Sequence, residues 1–390
     1  MKKVTDLNLE NKTVILRCDL NVSIKDGKII DDTKIKESLK TINYILDKKA
    51  KLLIMSHLGR VKEEKDKEKN NMEIVYKKMK ELLKDKISFI NDTNPKKVKK
   101  ELKQIPYGNA LLMQNTRYED IKQNKESGCD PKLSKNWAKL GDIFINDAFA
   151  TIHRKHASNY GIATHLESAI GFLVEKELNG LNLLDNPKRP YVVIMGGSKI
   201  KDKIGVIKTL IKQADYILIG GAMAFTFLKA KGHTVGASLY EEEEIEYCKN
   251  LLKHYENRII LPTDLYGSYE INEDSSVILQ DIDQIPKNFI GLDIGDNTIK
   301  EFKSILKNTN TVFWNGPLGA YEYKKFRYGT EEILKYLKDN VETVILGGGD
   351  IVGCANLLNY TKDITFASTG GGATLKYLES HDQPGLQNME

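Results

Sequence analysis

The sequence predicts an α/β protein of two domains, each a three-layer α/β/α arrangement around a mainly parallel sheet. Three observations carry this. Short apolar runs alternate with longer amphipathic stretches along nearly the whole chain, which is the rhythm of strands and crossover helices. The apolar runs of the second half break into glycine, as strands do where a ligand must approach bare backbone. At 390 residues the chain exceeds one ordinary core, so two domains of just under ~200 residues are expected.

In the first half the expected strands are Val14–Arg17, Lys51–Met55, Ile87–Ile90, Ala110–Met113 and Asp142–Ile145, with helical patterns such as Lys34–Lys48 and Met72–Leu83 between them. Each is defined by β-branched or aliphatic residues bounded by polar ones. The residues after the strands are chemically rich: Arg17-Cys18-Asp19-Leu20-Asn21, Ser56-His57-Leu58-Gly59-Arg60, Gln114-Asn115-Thr116-Arg117, and Asn146-Asp147-Ala148-Phe149 with His153-Arg154-Lys155-His156. Ligands of open α/β sheets bind beyond the carboxyl ends of the strands. This half therefore gathers Arg, His and Asn side chains around one crevice.

Gly171–Leu184 reads as a helix with Leu173, Leu178, Leu181 and Leu184 on its apolar positions, stopped by Pro187 and Pro190. The second half then repeats the rhythm. Tyr191–Met195, Tyr216–Ile219, Thr343–Leu346 and Ile364–Ala367 run into Gly196-Gly197-Ser198-Lys199, Gly220-Gly221-Ala222, Gly347-Gly348-Gly349-Asp350 and Thr369-Gly370-Gly371-Gly372. Thr311–Trp314 runs into Asn315-Gly316-Pro317. One half thus grips an anion with side chains, the other with backbone and a few lysines. The boundaries expected are 1–170, a joining helix 171–185, and 186–379, with 380–390 left over.

Composition narrows the function. Hydrophobic residues make up 41% and charged residues 29%, the balance of a soluble globular chain. A net charge of +5 with both signs abundant favours anionic ligands and falls short of a nucleic-acid footprint. Cys18, Cys129, Cys248 and Cys354 form no CxxC pair, which speaks against zinc and disulfides and fits a reducing cytoplasm. The first residues turn polar at once, without the apolar region of a signal peptide, and no run reaches the ~18 apolar residues of a membrane span. The run Lys62–Lys69 reads as a solvated loop, Glu241–Glu244 as acids complementing a helix dipole, and Trp137 as core packing.

Motifs exclude more than they prove. No GxxxxGK[ST], HExxH or GxSxG occurs, which removes P-loop, zinc hydrolase and serine hydrolase readings at the level of pattern. The loop after Thr343–Leu346 supports two readings side by side. In one, Gly347–Gly349 cradle a phosphate at a helix start and Asp350 holds the Mg²⁺ that accompanies it. In the other, Asp350 merely caps the helix. Gly347, Gly349 and Gly353 also make a relaxed dinucleotide fingerprint, but a nicotinamide-dependent dehydrogenase needs an acidic residue at the end of the next strand, and Ile364–Thr369 supplies none. Lys199 and Lys203, four apart at a helix start, are expected on one face, where they neutralise phosphates.

As a set, the ordered motifs resemble the phosphoglycerate kinase family over essentially the full chain. Arg17–Val22, Ser56–Arg60, Asn146–Phe149 with His153-Arg154, Gly196–Lys199 with Lys203, Gly220–Phe225, Trp314–Pro317, Gly347–Asp350 and Ser368–Ala373 carry the likeness. It implies two Rossmann-like domains facing across a cleft, joined by a hinge helix, with 380–390 packed back on the first. It also implies a cytoplasmic monomeric enzyme of glycolysis without nucleic-acid or membrane partners. The reaction implied is Mg²⁺-dependent phosphoryl transfer between 1,3-bisphosphoglycerate and ADP. By the same resemblance Asp19, Asn21, Lys34, His57, Arg60, Arg117 and Arg154 bind 3-phosphoglycerate. Lys203, Gly291, Glu322, Gly348, Gly349, Asp350 and Ile351 bind the nucleotide, with Glu322 at the ribose and Asp350 at Mg²⁺. Lys34, Lys199, Gly349 and Gly372 serve the transferring group. Because the attacking oxygens are already ionised, positioning and charge stabilisation replace a general base, and a hinge-bending closure aligns the groups.

The sequence departs from that family at several places. Lys34 stands where an arginine is usual, keeping the charge but losing the two-pronged planar donor. Ile351 replaces a threonine, Ala150 a glycine, and Phe366 a histidine. A catalytically weakened relative that still binds nucleotide is the alternative these changes raise.

Overall fold

A computed structural model describes residues 1–389. The chain divides into two compact units, one comprising Met1–Leu178 together with the segment beginning at Asp382, the other Asn179–His381.

The first unit is built on six parallel strands, in the order Ile87–Ile90, Ala110–Met113, Lys51–Met55, Thr13–Cys18, Ile143–Asp147, Glu167–Ile170. Thr13–Cys18 is central and buried along nearly its whole length, as expected of a strand covered on both faces. Its crossover helix, Thr33–Asp47, buries Ile35, Ser38, Thr41, Ile42, Ile45 and Leu46, a stripe at helical spacing. These pack with Val14, Leu16, Leu52 and Ile54 in one core. The joining segment is a helix over Phe172–Leu181 followed by a 3₁₀ turn at Asn182–Leu184, and the division between the units falls inside that helix. Its start is held by Asp147, whose Oδ1 accepts from the N–H of Leu173 (2.8 Å) and Val174 (3.2 Å).

The second unit repeats the plan, in the order Ile259–Ile260, Tyr216–Ile219, Tyr191–Met195, Thr311–Asn315, Thr343–Gly347, Phe366–Ser368. The last strand begins two residues later than the apolar run suggests. Pairing starts where Phe366 meets Ile345, and a 3₁₀ turn at Thr361–Asp363 takes up the approach. A separate antiparallel sheet, unanticipated from the sequence, joins Asp264–Ser268 to Ile278–Asp281 and Ile290–Ile294. Trp137 is fully buried and donates its indole N–H to the Thr93 carbonyl at 3.2 Å.

The end of the chain is tied to the first unit by backbone. Lys2 N–H donates to the Met389 carbonyl (2.7 Å) and Gly385 N–H to the Ile152 carbonyl (2.7 Å). Asn146 Nδ2 donates to the Gly385 carbonyl (2.9 Å). Met389 is fully buried. Truncating such a methionine ordinarily costs about 2–5 kcal/mol, so Met389→Ala should lower the urea midpoint of the full-length chain accordingly. A midpoint unchanged from wild type would show that burial of the Met389 side chain contributes nothing to the unit.

Candidate functional site

In the first unit, parallel pairing sends the ends of four central strands to one edge. Arg17 lies inside its strand, fully buried between Met55 and Asn146. Beyond it, Asn21 Oδ1 accepts from the Gly59 N–H at 2.8 Å, leaving the amide NH₂ as its available end. Gly59 has φ +59°, and a Cβ there would lie 1.9 Å from Asn70 Oδ1, so any side chain at this turn would have to displace Asn70 in a backbone conformation that favours glycine. Lys34 sits in the first turn of the Thr33–Asp47 helix, where the dipole disfavours a cation. Its partner is the buried Asp19, Oδ2 to Nζ 2.8 Å. Asp19 is thus ion-paired to Lys34, and no arginine at this edge makes a direct ion pair with a carboxylate among the described residues.

The cations here outnumber their partners. Arg60 is exposed and makes no ion pair among the described residues. Arg117 donates through Nη1 to the Gly59 carbonyl (3.2 Å), while its buried Nε has no hydrogen-bond partner. Burial, and then the neighbouring Arg154, hold the Arg117 guanidinium below its usual range. Arg154 Nε donates to His153 Nε2 at 3.0 Å. His57 is 7% exposed; burial first, and the Arg17 charge second, keep its imidazole well below 6.5. His156 is pushed down to about 3, chiefly by burial. Guanidinium groups gathered this closely repel one another, and the arrangement is relieved when an anion enters.

In the second unit the site is made of backbone. Gly196, Gly197, Gly221, Gly316 and Pro317 pack main chain against main chain: a Cβ on Gly196 would lie 2.1 Å from the Pro317 carbonyl oxygen, and one on Gly221 (φ +62°) 2.5 Å from the Gly197 nitrogen. Lys203 is buried against this knot and donates to the Gly196 carbonyl. Desolvation pushes its ammonium down to about 8, with Asp350 acting in the opposite direction. Lys199 is exposed, ahead of the 3₁₀ turn Lys201–Lys203, so the two lysines do not share a helix face. The reason is local. The N–H groups of Ile200 (2.5 Å) and Lys201 (3.2 Å) are taken by the Glu241 carboxylate, and the regular helix starts only at Ile204. Glu241, expected only to complement a dipole, therefore shapes this loop.

Two helices begin beside it. Gly349–Leu357 has Gly348 (φ +125°) as its N-cap, and Gly372–Ser380 has Gly371 (φ +56°). Asp350 is thus inside the helix, makes no side-chain cap bond and is exposed, contrary to the capping reading. A Cβ on Gly349 or Gly372 would meet no protein atom within 4 Å, so packing does not require glycine at either place. Ile351 is fully buried in the core with Trp314 and Leu346. Its side chain is therefore taken up by the core, which leaves the backbone of Ile351 as the part that can face the loop. Next to the loop is a cavity of about 520 Å³ whose lining includes Gly197, Phe225, Gly291, Pro317, Glu322 and Asp350. Gly291 is needed there because a Cβ would sit 2.3 Å from the Phe225 ring. No group of three or more His, Cys, Asp or Glu side chains arranged for a metal is found among the described residues.

The cavity wall also holds Asp293, 3% exposed, which no sequence pattern singled out. Its oxygens accept from the N–H of Ile294 (2.9 Å) and Gly329 (2.8 Å). Burial outweighs these donors and raises its pKa from 3.8 to about 8. Folding therefore takes up a proton between these values, and stability falls as pH rises across that window, the contribution being fully lost above about 8. Urea unfolding from pH 5 to 8 should show wild type losing stability relative to Asp293→Asn, by at most about 1.4 kcal/mol per pH unit. Parallel curves for the two proteins would sink this assignment.

The chain is similar to known proteins over nearly its whole length. The family model for phosphoglycerate kinase matches residues 4–381. A phosphoglycerate kinase of Staphylococcus aureus is 45% identical over 388 residues, covering 99% of this chain and 98% of the relative. The solved phosphoglycerate kinase of Coxiella burnetii superposes with a TM-score of 0.86 at 34% identity, covering 99% of this chain and 98% of that one. That of Pyrococcus horikoshii OT3 gives 0.86 at 30% identity, covering 100% and 98%. The parallel sheets, the basic strand ends of one unit and the glycine strand ends of the other are those of a chain that belongs to the phosphoglycerate kinase family.

Proposed function

We propose that this chain carries out phosphoryl transfer between 1,3-bisphosphoglycerate and ADP, giving 3-phosphoglycerate and ATP, with the basic edge of the first unit holding the phosphoglycerate and the glycine loops of the second holding the nucleotide. The observation that carries the assignment of sites is the excess of unpaired cationic donors at one edge, opposite in kind to the backbone knot and cavity of the other unit. His57, Arg60, Arg117, Arg154 and the Asn21 amide bind the phosphoglycerate. Asp19 fixes the Lys34 ammonium by their ion pair, so that Lys34 serves the carboxylate that receives the phosphoryl group. Gly291 and Glu322 receive the nucleoside, Lys203 its phosphates, and the N–H groups at Gly348, Gly349 and Gly372 the transferring group, with Lys199. Ile351 takes part through its backbone alone.

Mg²⁺ fits the donors present. Asp350 is an exposed carboxylate on the cavity wall without an ion pair among the described residues, and this ion is usually held by one or two carboxylates together with substrate phosphates. When bound, it neutralises phosphate charge; the chain's own groups orient the donor and acceptor and exclude water. The free thiols of Cys18, Cys129, Cys248 and Cys354 support placement in a reducing cytoplasm.

A coupled assay consuming 3-phosphoglycerate and ATP tests the reading: turnover at background with intact MgATP binding would make the chain a binding relative instead. Within the enzyme, loss of one transition-state donor costs about 10²–10³-fold. Lys34→Met should lower kcat by that amount, whereas Lys34→Arg should leave it equal or higher. If Lys34→Arg abolished turnover, the placement of Lys34 at the phosphoryl group would be wrong.

A further inference from the structure

Behind the basic edge lies a chain of buried polar groups that the chemistry above does not use. Glu126 is fully buried, and both its oxygens are engaged by Ser158, the N–H reaching Oε2 at 2.9 Å and the hydroxyl donating to Oε1. Ser158 Oγ accepts in turn from Arg17 Nε at 2.9 Å. Arg17 Nη1 donates to the Cys18 carbonyl, and Nη2 faces His57 Nδ1 at 3.0 Å. Glu126, Ser158 and Arg17 are each 0% exposed, so water does not substitute for any link.

This geometry decides the state of His57. A guanidinium carries donors and no acceptor. His57 Nδ1, facing one, must supply a lone pair, and the ring's single proton then resides on Nε2. The other charged or titratable groups acting on the ring are Arg117, His156 and Lys34. None is a carboxylate, so nothing there draws a second proton to Nδ1. Arg17 in turn needs support, because a buried guanidinium without a counter-charge is strongly disfavoured. No carboxylate bonds it directly. Glu126 acts on it across the Ser158 hydroxyl, and His156 Nδ1 stands a further 4.0 Å from Glu126 Oε1.

We propose that Glu126, acting through Ser158 and Arg17, is a positioning residue that fixes His57 as the neutral Nε2–H tautomer, so that a single oriented donor is presented to the bound phosphoglycerate. This rests on the reading that His57 faces that substrate. Uniform binding by a titrating imidazolium would make 3-phosphoglycerate affinity follow histidine protonation; the locked tautomer uncouples the two, leaving the arginines to supply the charge.

The test uses the full chain, labelled with ¹⁵N-histidine, with the His57 signals assigned by their loss in His57→Gln. Wild type should show a pyridine-type Nδ1 and a protonated Nε2, unchanged from pH 8 to pH 6. A protonated Nδ1, or a titration near the ordinary 6.5, would overturn the proposal without any variant. In Glu126→Gln the His57 signals should move to mixed tautomers or begin to titrate. KM for 3-phosphoglycerate should rise about tenfold, the scale of one charge-assisted hydrogen bond, with KM for ATP unchanged and Glu126→Asp restoring part of the loss. Ser158→Ala interrupts the same link and replaces Glu126→Gln if that variant fails to fold. His57 signals and KM both unmoved in a folded variant would overturn the role of Glu126. If instead the variant shifts the tautomer as stated but 3-phosphoglycerate leaves the wild-type Nε2–H resonance in place, the substrate reading of His57 fails and not the relay.

Discussion

Parallel strand order is the constraint on which the chemistry of each unit depends. In such a sheet every strand leaves at the same edge, so whatever follows each strand is gathered there regardless of its distance in sequence. Arg17 and Asn146 become lateral neighbours by register alone, as do Trp314 and Leu346 in the other unit. The apolar interior of each strand, buried on both faces, fixes that register. A slip by one residue would turn Arg17 into the opposite face and bring Leu16 in its place. The sites are therefore consequences of the cores beneath them.

Much of this was legible because the signals are local. A β-branched run bounded by glycine or by charged residues announces a buried strand, and the bounds of Lys51–Met55, Ile87–Ile90, Ala110–Met113, Tyr191–Met195 and Tyr216–Ile219 are those of the apolar runs themselves. The antiparallel sheet escaped notice because its strands contain Gly267 and Gly291 and alternate burial with exposure in only short stretches. Within the candidate site, residues after strands could be named from position. Partners separated by long stretches of chain could not. Glu241 reaches back to Ile200 and Lys201, and Glu126 reaches Ser158, yet in sequence each is one acid in a charged surface-like segment. No periodicity connects them. The same limit explains Lys199 and Lys203: their spacing suggests one helical face, and a carboxylate forty-one residues from Ile200 decides otherwise. Ile351 shows the converse, since an isoleucine in a helix start already signals a core-facing position.

The two units present donors to their strand-end edges by different physical means. Side chains supply full charges and specificity, but each buried guanidinium carries a desolvation cost that must be offset by fixed partners. That is why Arg17 has a carbonyl, a hydroxyl and, behind it, a carboxylate. Asp19 does the same for Lys34, a cation that the helix dipole opposes. The system is rigid at its base and under-paired at its tips, where Arg60 and Arg154 remain open to an anion. Backbone N–H groups need no such support, because the helix that presents them is already formed for other reasons.

That difference accounts for where glycine is tolerated and where it is required. At Gly196, Gly221 and Gly316 any side chain would strike main chain, so glycine is demanded by packing and would be kept even without a ligand. At Gly349 and Gly372 the protein leaves open space, so packing alone does not demand glycine there. The burial of Ile351 fits the same division. Its side chain joins the core that holds the helix, while Gly349 and Asp350 keep the helix start open. A hydroxyl at position 351 would be turned into that core unless the helix start rotated. The loss of threonine there is thus first a matter of packing, and the N–H donors of the loop, which the side chain does not alter, keep the capacity to hold a phosphate.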